Sequence, residues 1–177
     1  MMDGIRFVPA VLHMVYEEGT SENASFLQEY YALMQLNDDP LGVWLKSSKI
    51  RKAAEESDPV LLTLLIELHR KIETLTHLVT SKTPLVLELK ESAMLSDIAH
   101  GYLRLSEAVL TPQKGYYARI AMPTFPQRSM PLFFEAVDAF VGKIVLMHED
   151  DEQEWSAYMT ACERAMIRQM KGNGSEY

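Results

Sequence analysis

Residues 132–147 read Leu-Phe-Phe-Glu-Ala-Val-Asp-Ala-Phe-Val-Gly-Lys-Ile-Val-Leu-Met. Aromatic and β-branched side chains dominate this run, which predicts one long strand or two. Working outward, Gly115–Met122 (Gly-Tyr-Tyr-Ala-Arg-Ile-Ala-Met) has the same character. Residues 100–106 set Tyr102, Leu103 and Leu105 between polar neighbours, and Pro84–Leu89 (Pro-Leu-Val-Leu-Glu-Leu) supplies a further candidate strand. Turn signals at Thr111-Pro112-Gln-Lys-Gly115 and from Pro123 to Pro131 separate them. Near the start of the chain, residues 5–16 are rich in β-branched and aromatic types around Pro9. They read as an extended or edge strand, where the missing proline N–H does least harm. Several short strands at this spacing predict a small antiparallel barrel.

From about residue 20 to 80 the pattern turns helical. Thr20 or Ser21 caps a helix carrying Phe26, Leu27, Tyr30, Leu33 and Met34 on one face. Asp39-Pro40 and Asp58-Pro59 each place a capping carboxylate before a proline at a first helical position. Between them, Val43, Trp44, Leu45, Ile50, Ala53 and Ala54 predict a shorter amphipathic helix. In the next helix Leu61, Leu65, Leu68, Ile72, Leu75 and Val79 follow the alternating four–three spacing of a coiled-coil seam. With Leu61, Leu68 and Leu75 at d, the a positions are Leu65, Ile72 and Val79, which leans toward a parallel two-stranded contact. Leu62, Leu64, Ile66 and Leu78 lie off the seam, as expected of a helix inside a bundle. The seam packs either within the chain or between chains, and its regularity favours self-association. A last helix opens with the acidic run after His148 and carries Trp155, Tyr158, Met159, Cys162, Met166 and Met170 as its apolar stripe. Residues 172–177 read as a frayed tail.

The chain has 177 residues, 25 acidic against 17 basic, a net charge of −8, and is 47% hydrophobic and 24% charged. That is the composition of an ordinary globular domain able to bury a core. The acidic balance argues against nucleic acid or an anionic membrane as a partner, since phosphates are held mainly by Lys and Arg. A single cysteine excludes an internal disulfide and a multi-cysteine zinc site, and eleven methionines suit a reducing interior. With neither an export signal nor an apolar run of membrane-spanning length, a cytoplasmic location is expected.

Catalytic signals are weak. The chain carries no nucleophile elbow, P-loop, dinucleotide fingerprint or paired-histidine zinc motif, so no enzymatic activity and no cofactor are expected. Glu73 and His77 lie four apart, but nothing supplies further ligands, and they and His69 read as solvated helix positions. His148 with Glu149, Asp150 and Asp151 reads as a charged helix start rather than a cation site, and Cys162 as a small core residue.

A barrel of short strands, a glycine in its first third and an acidic turn before a final helix together resemble a PilZ domain, the bacterial cyclic di-GMP receptor module. The stretch Ser96-Asp-Ile-Ala-His-Gly101-Tyr-Leu-Arg-Leu lies where that family carries Asp/Asn-x-Ser-x-x-Gly. The acidic run at 148–152, with its helix, resembles the end of the domain, and Arg6-Phe-Val-Pro resembles the first barrel strand. The layout is most similar to atypical, tetramer-forming PilZ proteins of plant-pathogenic bacteria, which carry a heptad-bearing helix. The resemblance implies an α+β fold and one domain over 1–177. Within it lie a helical insertion at 18–81 with an oligomerisation helix at 59–80, a barrel at 82–148 and a C-terminal helix at 149–171.

The departures are chemical. The family's Asp/Asn falls on Ser96, its Ser on Ile98, and only Gly101 is kept. In the family's Arg-x-x-x-Arg, Arg6 would be followed by Ala10. Neither Ala nor Ile replaces a planar, bidentate arginine fork or a hydroxyl, so usual cyclic di-GMP binding is not expected. The expectation is therefore a signalling or adaptor protein that self-associates, as a tetramer by resemblance, through Leu61, Leu65, Leu68, Ile72, Leu75 and Val79. It would act through an unidentified protein partner in motility, type IV pili or virulence. The alternative is a receptor for a nucleotide or other small molecule at a non-standard site, with Arg104, Arg119 and Arg128 as candidate forks.

Overall fold

In a computed structural model, which describes residues 5–37, 59–80, 86–123 and 128–172, the alternating segment Val8–Glu18 is strand β1. Its even-numbered residues from Val8 to Tyr16 are buried and Pro9, Val11 and His13 are exposed, the two-residue period of a sheet with one core face. Five more strands follow: β2 Glu91–Ala99, β3 Tyr102–Leu105, β4 Gly115–Met122, β5 Arg128–Ala136 and β6 Val141–Leu146. They close into an antiparallel barrel in the order β1-β2-β3-β6-β5-β4. The helices are α1 Ala24–Asn37, α2 Pro59–Thr80 and α3 Glu149–Gly172. The predicted α+β small barrel is present.

Strand β1 is not an edge strand, because it pairs with β2 on one side and β4 on the other. Pro9 is tolerated since the β4 pairing covers only Met14 to Glu18, and Pro9 lies in the part of β1 that pairs with β2 alone, beside a register shift. Residues 86–90 are not a strand, and the segment that is one, Glu91–Ala99, includes the stretch read as a family motif. The long run at 132–147 is two strands joined by a turn in which Asp138 Oδ1 accepts the Phe140 and Val141 N–H groups at 2.7 and 2.8 Å. Pro131, expected to mark a turn, is a buried member of β5 opposite Arg119. The helix cap is Asn23 rather than Thr20 or Ser21: its Oδ1 accepts the Ser25 N–H at 3.0 Å and the Phe26 N–H at 3.4 Å. The helix expected between Asp39-Pro40 and Asp58 lies outside the described residues.

The barrel interior is filled by Met14, Leu95, Ile98, Leu103, Ile120, Met122, Met130, Leu132 and Phe134, all at most 1% exposed. Tyr116 stacks on Phe134 at 5.2 Å and meets Tyr16 edge to face at 5.8 Å. On the outer pleat, Tyr117 and Phe133 are also buried, with rings 4.9 Å apart, and Phe26 stacks on Tyr117 at 5.1 Å. Helix α3 packs at the barrel end where β2 finishes. Trp155, 2% exposed, donates from Nε1 to the Ala99 carbonyl at 3.0 Å, and Met159 joins the same core.

Two compact units are present, residues 1–26 with 89–177, and residues 27–88. The first is the barrel with α3. In the second, the Leu87 N–H donates to the buried Glu29 carboxylate, and α2 spans the whole of the predicted 59–80 helix.

Gly142 lies on β6 with its α-carbon turned into the packed interior. A Cβ there would sit 2.4 Å from the Phe134 ring and 3.1 Å from Leu103. Gly142→Ala is therefore expected to lower stability by about 1–3 kcal/mol, the range for overpacking a filled core. Urea unfolding measures this, and an unchanged midpoint would contradict the packing described.

Candidate functional site

The residues read as a degenerate nucleotide motif occupy structural positions. Ala10 and Ile98 point into the barrel, 5% and 0% exposed. Arg6 is exposed, with its Nε 3.4 Å from Glu163 on α3. The Ser96 hydroxyl donates to Asp97 at 2.7 Å. Gly101 closes the β2–β3 hairpin with φ of 70°, a left-handed conformation that disfavours any residue with a Cβ. Gly101 thus has a backbone reason to be a glycine, whatever ligand the resemblance suggests.

The candidate arginine forks are engaged or enclosed. Arg104 lies 3.9 Å over the Phe7 ring and 3.7 Å from Asp97. Arg119 is buried in β4. Arg128 bridges β5 to the first turns of α3, 2.8 Å from Asp151 and bonded to Glu154. Burial pushes the Asp151 carboxyl above the usual carboxylate range, against the pull of Arg128 and His148 and with a push from Glu154. Its Oδ2 is buried with no hydrogen-bond partner among the described residues.

The metal readings gain nothing. Among the described residues, no three His, Cys, Asp or Glu side chains are grouped to hold an ion. The Glu73 and His77 side chains lie outside the described residues, His69 is exposed, and His148 Nδ1 accepts the Asp150 N–H at 3.3 Å. Cys162 is half-buried beside Tyr158, whose hydroxyl is pushed up to about 12 by burial first and then by Cys162.

The seam of α2 behaves differently. Leu61, Leu65, Leu68, Ile72 and Leu75 are 56, 52, 55, 51 and 60% exposed, while Glu67, off the seam, is 8% exposed. Lys71 sits 4.0 Å from Glu67, one turn on. The Val79 side chain lies outside the described residues. Leu64 at a g position, also half-exposed, widens the apolar strip. Among the described residues, no helix is long and apolar enough to cross a membrane.

A second feature was not singled out in the sequence: a cavity at the barrel mouth lined by Tyr16, Glu91 and Tyr116 among others. Tyr16 and Glu91 are 75 positions apart, and only the β1–β2 register makes them partners. Compared with known proteins, the chain matches no family model, no curated protein and no solved structure.

The raised Asp151 carboxyl has a pH consequence. Just above the ordinary carboxylate value of ~4 the native state binds this proton more fully than the unfolded chain does. Stability from this group is therefore greatest at low pH and falls as pH rises through the raised value. Asp151→Asn, which keeps the shape and cannot ionise, should gain relative to the native chain as pH rises above ~4 in denaturant melts. A difference that does not vary with pH contradicts it.

Proposed function

We propose that this chain is a non-catalytic, PilZ-like barrel that self-associates through α2 and acts by protein–protein contact. The carrying observation is the exposure of the heptad positions: five apolar side chains in one line, each more than half exposed. Burying the exposed half of a leucine contributes roughly 1 kcal/mol, so five on each of two helices supply ~10 kcal/mol. Association costs ~4–15 kcal/mol in lost rigid-body freedom, which makes a single helix pair marginal and favours adding more helices. The extra apolar width at Val60 and Leu64 supports more than one neighbour, in keeping with the tetramer that the resemblance implies. A regulatory role in motility, pili or virulence is likewise carried by the resemblance.

The barrel with its docked final helix supports the PilZ-like reading, and the positions of Ala10 and Ile98 support the loss of cyclic di-GMP binding. Both side chains fill the core, so neither can present a polar group to a nucleotide. The alternative receptor built on Arg104 and Arg128 has less support, because each already faces a carboxylate inside the chain.

Light scattering should give a mass that is a multiple of 20.2 kDa, and Leu68→Glu with Ile72→Glu should reduce it to one chain without unfolding the barrel. A monomeric native chain, or a double variant of unchanged mass, defeats the self-association reading. Calorimetric titration with cyclic di-GMP should show no micromolar binding, and a saturable signal would overturn that part.

A further inference from the structure

The end of the barrel remote from α3 is an open mouth, where β1 ends, β2 begins and β4 begins. A cavity of 480 Å³ lies there, lined by Tyr16, Glu17, Glu18, Lys90, Glu91 and Tyr116 with a few neighbours. That is within the usual ~300–1,000 Å³ range for small-molecule sites, which favour barrel mouths. The register decides what faces it. Tyr16 pairs with Glu91 across β1–β2, and Glu18 pairs with Tyr116 across β1–β4. Directly opposed residues share a face of the sheet, so Glu91 stands over the inward-pointing Tyr16 ring and Glu18 over Tyr116.

The charges in this mouth are unevenly compensated. Glu17 holds the Lys90 ammonium, and Glu18 holds Lys114 at 2.7 Å. Glu91 forms no salt bridge of its own among the described residues. Lys90 is close enough to feel Glu91, but its hydrogen bond goes to Glu17. Tyr16 is only 4% exposed, and its hydroxyl, which reaches the open cavity, makes no hydrogen bond to the described residues. Burial first, then Glu91 and Tyr116, push this hydroxyl above its ordinary value, so it keeps its proton. The Tyr116 hydroxyl accepts the Thr111 N–H at 2.9 Å and is fixed in place.

A phenol whose hydroxyl opens to the cavity without a protein partner, a carboxylate whose neighbouring cation Lys90 is bonded to Glu17, and two aromatic rings make one complementary set. We propose that the barrel mouth binds a small primary alkylammonium ion, with Glu91 as its counter-ion, the Tyr16 oxygen accepting an ammonium N–H, and the tyrosine rings flanking its carbon chain. A hard divalent cation fits poorly, since it needs six or more oxygen ligands and the mouth offers one uncompensated carboxylate. An inorganic anion is excluded by the surplus of carboxylates. The site is independent of self-association through α2 and of the cyclic di-GMP question.

The test is calorimetric titration of the full chain with 1,4-diaminobutane at low ionic strength, beside magnesium chloride and butan-1-ol. Saturable one-site binding of the diamine, with neither control binding, is expected. Glu91→Gln and Tyr16→Phe should each weaken it about tenfold or more, the usual effect of losing a charge-assisted hydrogen bond. Glu91 is exposed, so its variant carries no folding burden and decides the question even if Tyr16→Phe proves unstable. A short peptide with one lysine and capped ends separates a protein-borne ammonium from a free one, the free diamine binding tighter if the proposal holds. No diamine binding, equal binding of magnesium, binding of the peptide alone, or an affinity untouched by Glu91→Gln would each overturn it.

Discussion

Everything in the first unit depends on β1 being paired along both edges. Its partners, β2 and β4, lie some 80 and 100 positions further along the chain, and a chain segment that includes the whole second unit separates β1 from β2. Without that closure the five later strands would form an open sheet with two unpaired edges, each a template for aggregation. Closure also creates the inside. Met14, Ile98, Ile120 and Leu132 have no water-free environment until the ring is complete. The loop-closure entropy of this pairing grows only with the logarithm of the intervening length, so the whole unit Leu27–Glu88 between β1 and β2 is thermodynamically tolerable.

The two ends of the barrel are finished differently. At one end Trp155 and Met159 of α3 complete the core, with the indole N–H bonded to the Ala99 carbonyl, and Arg128 ties β5 to Asp151 and Glu154. Burying Asp151 there costs desolvation that its arginine offsets only in part, which is why its carboxyl is raised. At the other end, among the described residues of this unit, the cavity is lined by strand ends and their flanks rather than a helix, with Tyr16 paired with Glu91 and Tyr116 with Glu18. A closed end carries structure, and an open one leaves room for chemistry.

Several elements were legible from residue pattern alone because their physics is local. Gly115–Met122 and Pro59–Thr80 match expectation to the residue, the first through its apolar run between turn signals, the second through apolar periodicity after an Asp-Pro start. Glu91–Ala99 is not legible as a strand because polar Glu91, Ser92, Ser96 and Asp97 break up its apolar residues and leave no clean two-residue alternation. The wrong cap for α1 has a similar origin: Thr20, Ser21 and Asn23 are all good caps, and the seat of Phe26 against Tyr117 selects the last. The three candidate arginines could not be ranked in sequence, since what disqualifies Arg104 and Arg128 is a Phe ring and carboxylates distant along the chain.

By itself the sequence determined the class of fold and the extent of α2, because periodicity and capping act within a few residues. It also placed the acidic start of α3, where carboxylates meet the positive end of the helix dipole. Tertiary structure alone decided that Leu61, Leu65, Leu68 and Leu75 are exposed while Glu67 is buried, that Gly101 adopts a left-handed backbone, and that Tyr16 meets Glu91. The reason is common to all three. Exposure, turn geometry and cross-strand register are properties of which segments become neighbours, and no local spacing encodes a pairing between residues 75 positions apart.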